Sequence, residues 1–411
     1  MSRFAMVLAV TLTVQSPLAP LAVACPFCTA VSQTFAEEMA TMEVVVIAEL
    51  LSGPAELPKI GDVVDELPPS KFVVQDIIKG GELVEVGDAI QTHYFGTTEK
   101  DSVYLIMGAD APNLMWSGPL PLNERVHQYV KAVSELPEGY ERLEFFQQYL
   151  EDEDEMIARD AYDEFAKTPY DGVISLRERM DRGQLLAWIQ KPETPASRRR
   201  LYLTMLGVCG TEQDVPLLEE LLTREERDAR LGLDAMIACY LSLAGEAGLP
   251  LVEERFLDNP DSEYSETYSA IMAIRFHGNE SDAISRERLT QSLQFVLKRP
   301  QLADLVIPDL ARWEDWTVVE QLVGLFQQAD EESNWVRVPI VNYMRACPLE
   351  EAIEAIKKLE EIDPEAVKRA NIFFPFAQFS GGPRNEDEPE ESAAQGGAQP
   401  VPPPEVPAGE G

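Results

Sequence analysis

At 411 residues the chain exceeds what a single hydrophobic core usually supports, and a hydrophobic fraction of 45% fits a globular protein of about two folded units plus tails. Its charge is lopsided, with 72 Asp and Glu against 34 Lys and Arg for a formal net charge of −38. A field of that sign repels phosphate backbones and anionic lipid, which argues against nucleic acid as a partner.

The chain opens like an export signal. Arg3 supplies the positive end, residues 4–14 a short apolar run, and Ala22-Val23-Ala24 a small-x-small cleavage site. The run falls short of the roughly 20 apolar residues a membrane-crossing helix needs, and no later stretch reads as one. Cleavage after Ala24 leaves Cys25 as the first residue. Two destinations stay open: a secreted or periplasmic soluble protein, or a lipoprotein acylated at Cys25. Contact with a membrane is expected only in the second case, and one acyl chain binds only marginally.

Cys25-Pro26-Phe27-Cys28 is the sharpest local motif. Such a pair closes a small disulfide ring in an oxidising compartment, acts as a redox couple where a helix favours the thiolate, or contributes to a metal site. Thr29 stands where covalent haem attachment needs His. Cys209, Cys239 and Cys347 lie in apolar helical runs, where Cys behaves as a small hydrophobe.

Phe35, Met39 and Met42 recur at helical spacing, and residues 44–50 form a dense apolar run that reads as a buried strand. Further strands are expected at 71–78, 89–95 and 102–107, separated by Lys79-Gly80-Gly81, Val86-Gly87-Asp88 and a charged stretch around 99–101. Strands punctuated this way predict a small antiparallel barrel. From Asn123 onward the pattern turns helical. First helices are expected at 158–165, 200–209, 233–243, 268–276, 305–313 and 336–344, answered by second helices at 215–222, 249–256, 288–297, 318–326 and 352–359. The copies recur at about 33 to 40 residues, the range of two-helix solenoid repeats, with one longer connection expected between 276 and 288. Gly210 and Gly245 end helices at the joints. After Phe379 a Glu-, Gln-, Gly- and Pro-rich stretch has nothing with which to build a core, and disorder is the simple reading.

The expected fold class is therefore α+β and multidomain: a signal peptide over 1–24, a small antiparallel OB-like β-barrel over 25–120, an all-α HEAT-like repeat array over 121–379 and an acidic, Pro-rich tail over 380–411. Phe72-Val73-Val74 leading to Ile78-Lys79-Gly80, the turn Val86-Gly87-Asp88 and Val103-Tyr104-Leu105-Ile106 resemble the oligonucleotide-binding-type barrel of netrin-like modules and tissue inhibitors of metalloproteinases. In those inhibitors the terminal amine and carbonyl chelate the target's zinc, a role the resemblance carries to Cys25 alone. They begin Cys-x-Cys and carry several disulfides, whereas this barrel stretch has only Cys25 and Cys28. The chain also resembles a group of secreted bacterial proteins that join a Cys-Pro-Phe-Cys start to helical repeats. That likeness rests on Cys25-Pro26-Phe27-Cys28, residues 161–166 with Pro169-Tyr170, residues 207–211, residues 245–249 and residues 303–307. It implies no particular activity.

Catalytic signatures are sparse. His93, His127 and His277 are the three histidines, no two at ligand spacing, and no nucleophile elbow, P-loop or dinucleotide fingerprint is present. The acidic run 151–155 lacks the central Gly of a calcium loop and reads as a helix connection. Neither enzymatic chemistry nor a cofactor is expected. Two features stand out as a candidate partner surface: Arg198-Arg199-Arg200, a basic patch at a helix start, and Trp313 with Trp316, which flank Glu314-Asp315 between two helices. The function read from the sequence is that of an exported, non-catalytic binding or scaffold protein with an unidentified protein partner. The alternatives are a thiol-redox or metal-binding factor working through Cys25 and Cys28, or a metalloprotease inhibitor working through Cys25.

Overall fold

The computed structural model describes residues 25–30, 32–53, 69–96, 103–224, 226, 230–330 and 333–372. The export signal expected over 1–24 and the acidic tail expected over 380–411 lie outside the described residues.

A short helix, α1 (Phe35–Thr41), precedes the sheet. Thr34 caps it, accepting from Glu37 N–H, while the Glu37 carboxylate accepts from Thr34 N–H. Six antiparallel strands follow: β1 (Val44–Ser52), β2 (Ser70–Lys79), β3 (Ala89–Thr92), β4 (Val103–Ala109), β5 (Met115–Trp116) and β6 (Leu120–Leu122). The order β3-β2-β1-β4-β5 is that of a Greek key, since β4 returns to lie beside β1, and β6 adds to β4. β1 runs in unbroken register with β4, from Val44 opposite Gly108 to Glu49 opposite Val103. Against β2 its register slips at three places, and these bulges bend the sheet until β3 faces β5. The Thr92 hydroxyl donates to the Ser117 carbonyl across that seam at 3.3 Å, leaving a nearly closed barrel.

The apolar run of β1 has a simple cause: both of its faces are covered. Val44, Val46 and Ala48 point into the barrel with Phe72, Tyr94 and Tyr104, whose rings meet edge to face. Val45 and Ile47 point the other way, with Leu105 and Met107, into the helical core. Each of the Val, Ile, Leu, Met and Phe side chains among them contributes about 1.5–3 kcal/mol of apolar burial.

The helices are α2 (Glu124–Ser134), α3 (Leu143–Gln147), α4 (Glu155–Lys167), α5 (Tyr170–Ile174), α6 (Arg182–Gln190), α7 (Ala196–Cys209), α8 (Val215–Thr223), α9 (Leu233–Ala244), α10 (Leu249–Val252), α11 (Tyr264–Glu280), α12 (Arg286–Gln294), α13 (Ile307–Arg312), α14 (Val319–Gln328), α15 (Arg337–Ala346), α16 (Glu350–Ile362) and α17 (Pro364–Ile372). α7 packs on α9 and α9 on α11, then α13 on α15 and α15 on α17. α8, α12, α14 and α16 form the second layer, with α10 continuing into a π-helical turn at Glu253–Leu257. The longer connection expected after 276 is absent, because α11 continues to Glu280 and only residues 281–285 lead to α12. The stretch Leu233–Leu257 is long and apolar enough to cross a membrane by composition, contrary to the sequence reading. In the fold it spans α9 and α10, and Met236, Ile237, Tyr240, Leu241 and Phe256 on it are core residues.

Arginines tie successive repeats together. Arg200 Nε donates to Asp234 at 2.8 Å and Arg275 Nε to Asp309 at 2.7 Å; Arg230 pairs with Glu266 and Arg182 with Asp214. The partners lie 34, 34, 36 and 32 residues apart, about one repeat, so each pair joins neighbouring units.

Candidate functional site

The amino-terminal motif is closed and docked. Cys25 and Cys28 form a disulfide, and Cys28 N–H donates to the Cys25 carbonyl at 3.1 Å. Cys25 is buried, and the Phe27 ring lies 5.2 Å from that of Phe276 on α11. Two aspartates of α4 hold the segment that follows. Asp163 accepts from Ser32, and Asp160 accepts from Phe35 N–H at 2.7 Å and from the Tyr129 hydroxyl at 2.7 Å. Burial pushes the Asp160 carboxyl up to about 6, against those hydrogen bonds. α1 begins beyond this segment, and its first-turn amides at Phe35 and Glu37 donate to Asp160 and Thr34. At the Cys25 Sγ, the disulfide and acylation exclude one another. Burial raises the pKa of the Cys209 and Cys239 thiols, which favours the unreactive form.

Two of the histidines, His277 and His93, are placed by packing. His277 is fully buried, with Nε2 3.0 Å from the Ala238 carbonyl, and burial lowers its pKa to about 4. His93 is stacked on Phe95. Among the described residues no group of three or more His, Cys, Asp or Glu side chains is placed to hold a metal.

The basic patch is used internally. Arg198 pairs with Glu155 at 2.7 Å and approaches Glu151, Arg199 is buried and donates to the Lys191 carbonyl, and Arg200 pairs with Asp234. These arginines anchor α7 to α4, to the preceding turn and to α9.

The tryptophans have a different setting. α13 ends in a Schellman turn: Glu314 N–H donates to the Ala311 carbonyl at 3.2 Å and Asp315 N–H to the Leu310 carbonyl at 2.9 Å. The left-handed position of that turn, normally Gly, is held by Glu314 at φ 58°. Trp313 packs over Gly278 of α11, where an added Cβ would come within 2.2 Å of the indole. The Trp316 ring meets Tyr343 edge to face at 5.2 Å, and the Tyr343 hydroxyl donates to the Asp315 carbonyl at 2.5 Å. Asp315 also accepts from Gln294 and Thr317. Both tryptophans are half-buried and line a groove of about 840 Å³ between α12 and the α13–α14 corner, with Leu349 on its far side.

This groove continues. Gln291 and Gln294 are shared with a second hollow of about 480 Å³ over α12 and α14, and Glu253 and Phe295 join that one to a third beside the π turn. A furrow thus crosses the second-helix layer over the π turn, α12 and α14. Sequence reasoning reached Trp313 and Trp316 but not Gln291, Phe295 or Gln321. No protein-family profile, curated protein or solved structure matches this chain.

Proposed function

We propose that the chain is an exported, non-catalytic binding protein whose helical array holds a protein partner through the furrow over α12 and α14. The observation that carries this reading is the Trp313–Trp316 corner. A four-residue turn with a non-glycine residue in left-handed backbone is braced by Tyr343, Gln294 and Gly278 so that two indoles flank an open groove. Fixed, half-exposed tryptophans are the residues on which interface energy concentrates, because they bury large area at little entropic cost. The barrel, seated on the same core, serves as scaffold or second recognition module, as oligonucleotide-binding-type barrels do in the netrin-like modules it resembles.

Affinity capture from the native source, with the full chain as bait, tests the reading. A stoichiometric partner is expected with wild type and with Cys28→Ser, and is expected to be lost with Trp316→Ala. Loss with Cys28→Ser and retention with Trp316→Ala would move the function to the cysteine loop.

A further inference from the structure

Resting on that reading, we infer that the furrow takes an extended, basic peptide segment, with a Lys or Arg side chain set against Trp316 beside Glu314 and Asp315. The charges along the furrow are unbalanced. Arg288 pairs with Glu253 and Lys298 with Asp258 at 2.7 Å, while Arg286 donates to the neutral Gly278 carbonyl, so the six lining carboxylates, Glu253, Glu254, Asp258, Glu287, Glu314 and Asp315, outnumber the three lining cations. Glu254, Glu287, Glu314 and Asp315 have no cationic partner among the described residues, and the first three are exposed. A cation arriving there finds carboxylates that need not first be freed from another ion pair.

The aromatic lining points to the same chemistry. Indole is the strongest of the side-chain rings in attracting a cation to its face. The furrow already holds one such pair, with Lys298 Nζ 4.6 Å from the centre of the Phe295 ring. An extended backbone also has donors and acceptors to satisfy. The side-chain amides of Gln291 and Gln321, exposed on α12 and α14, make no hydrogen bond among the described residues and offer both kinds of group. An apolar helix would leave these amides and carboxylates unmatched.

The test uses the full chain and three short synthetic peptides, alternating Thr with Lys, Gln or Glu, followed by calorimetry and tryptophan fluorescence. Salt is held at about 0.15 M, so that carboxylates beyond roughly 8 Å contribute little. The Lys peptide is expected to bind best, and Trp316→Ala to weaken it about tenfold. Because Trp316 also packs on Tyr343, the double variant Glu287→Gln, Glu314→Gln provides a second probe on exposed side chains. It is expected to weaken binding several-fold, whereas Glu193→Gln, exposed in the α6–α7 turn, leaves it unchanged. Equal binding by every variant would overturn the inference, since it would mean attraction by the diffuse acidic field. Preference for the Gln or Glu peptide that still depends on Trp316 would overturn the basic partner while leaving the furrow as the binding surface. Self-association that competes with the peptide would make a second copy the occupant. Binding of none of the peptides also overturns the inference, and native partner capture then judges the underlying reading separately.

Discussion

His277 and Asp160 are both buried and pull acid stability in opposite directions. The imidazole, folded, titrates near 4 instead of 6.5, so the unfolded chain takes up its proton first and stability falls as pH drops from about 6.5 to 4. The carboxyl, folded, titrates near 6 instead of 3.8, so the folded state takes up its proton first and stability falls as pH rises from about 3.8 to 6. Each effect is about 3 kcal/mol over nearly the same window, and they largely cancel. His277→Gln, which keeps a donor for the Ala238 carbonyl, is expected to become more stable relative to wild type as pH falls from 6.5 to 4. Asp160→Asn is expected to do the reverse. Urea midpoints across that pH range check both, and equal slopes in the two variants would contradict the assignment. Neither role was legible in sequence, because burial of a single polar residue depends on neighbours far along the chain.

At the scale of elements, the tryptophan corner makes a prediction whose sign departs from helix propensity. Gly278 lies within α11, where Ala would ordinarily stabilise by roughly 1 kcal/mol. Here the added methyl meets Trp313, so Gly278→Ala is expected to destabilise by about 1–3 kcal/mol and to shift the tryptophan emission. Glu314→Gly should stabilise by about 1 kcal/mol by relieving the left-handed backbone. Thermal denaturation of the two variants checks both signs, and a stabilising Gly278→Ala would mean that the indole is not held over α11. The major strands and most repeat helices could be read from apolar spacing, since burial on one face or both imposes that spacing. β5 and β6, of two and three residues, are too short for any period. α17 is not among the helices expected from the sequence; Pro364 opens it, at a position where its absent N–H costs nothing. The arginine pairs could have been found by looking for an Arg followed by a carboxylate about one repeat later.

Over the whole molecule, those pairs bear on the acidic character. Arg182, Arg200, Arg230, Arg275 and Arg337 each pair with one carboxylate of the array, far fewer than the 72 Asp and Glu of the chain, so these pairs leave most of the acidic surplus in place. The barrel and the array, expected as separate units, share one core through Val45, Ile47, Leu105 and Met107, and the amino-terminal loop reaches α11 through Phe27. The order of barrel and array was legible in the chain. Their joint was not, because a strand covered on both faces does not say what covers it.

The measurement that tests the binding surface most directly is hydrogen–deuterium exchange of the full chain, alone and with its captured native partner. New protection is expected in the segments covering α12 and the corner from Trp313 to Gln321, with the loop at Cys25–Cys28 unchanged. Protection confined to that loop or to the barrel strands, with α12 and the tryptophan corner unaltered, would contradict it.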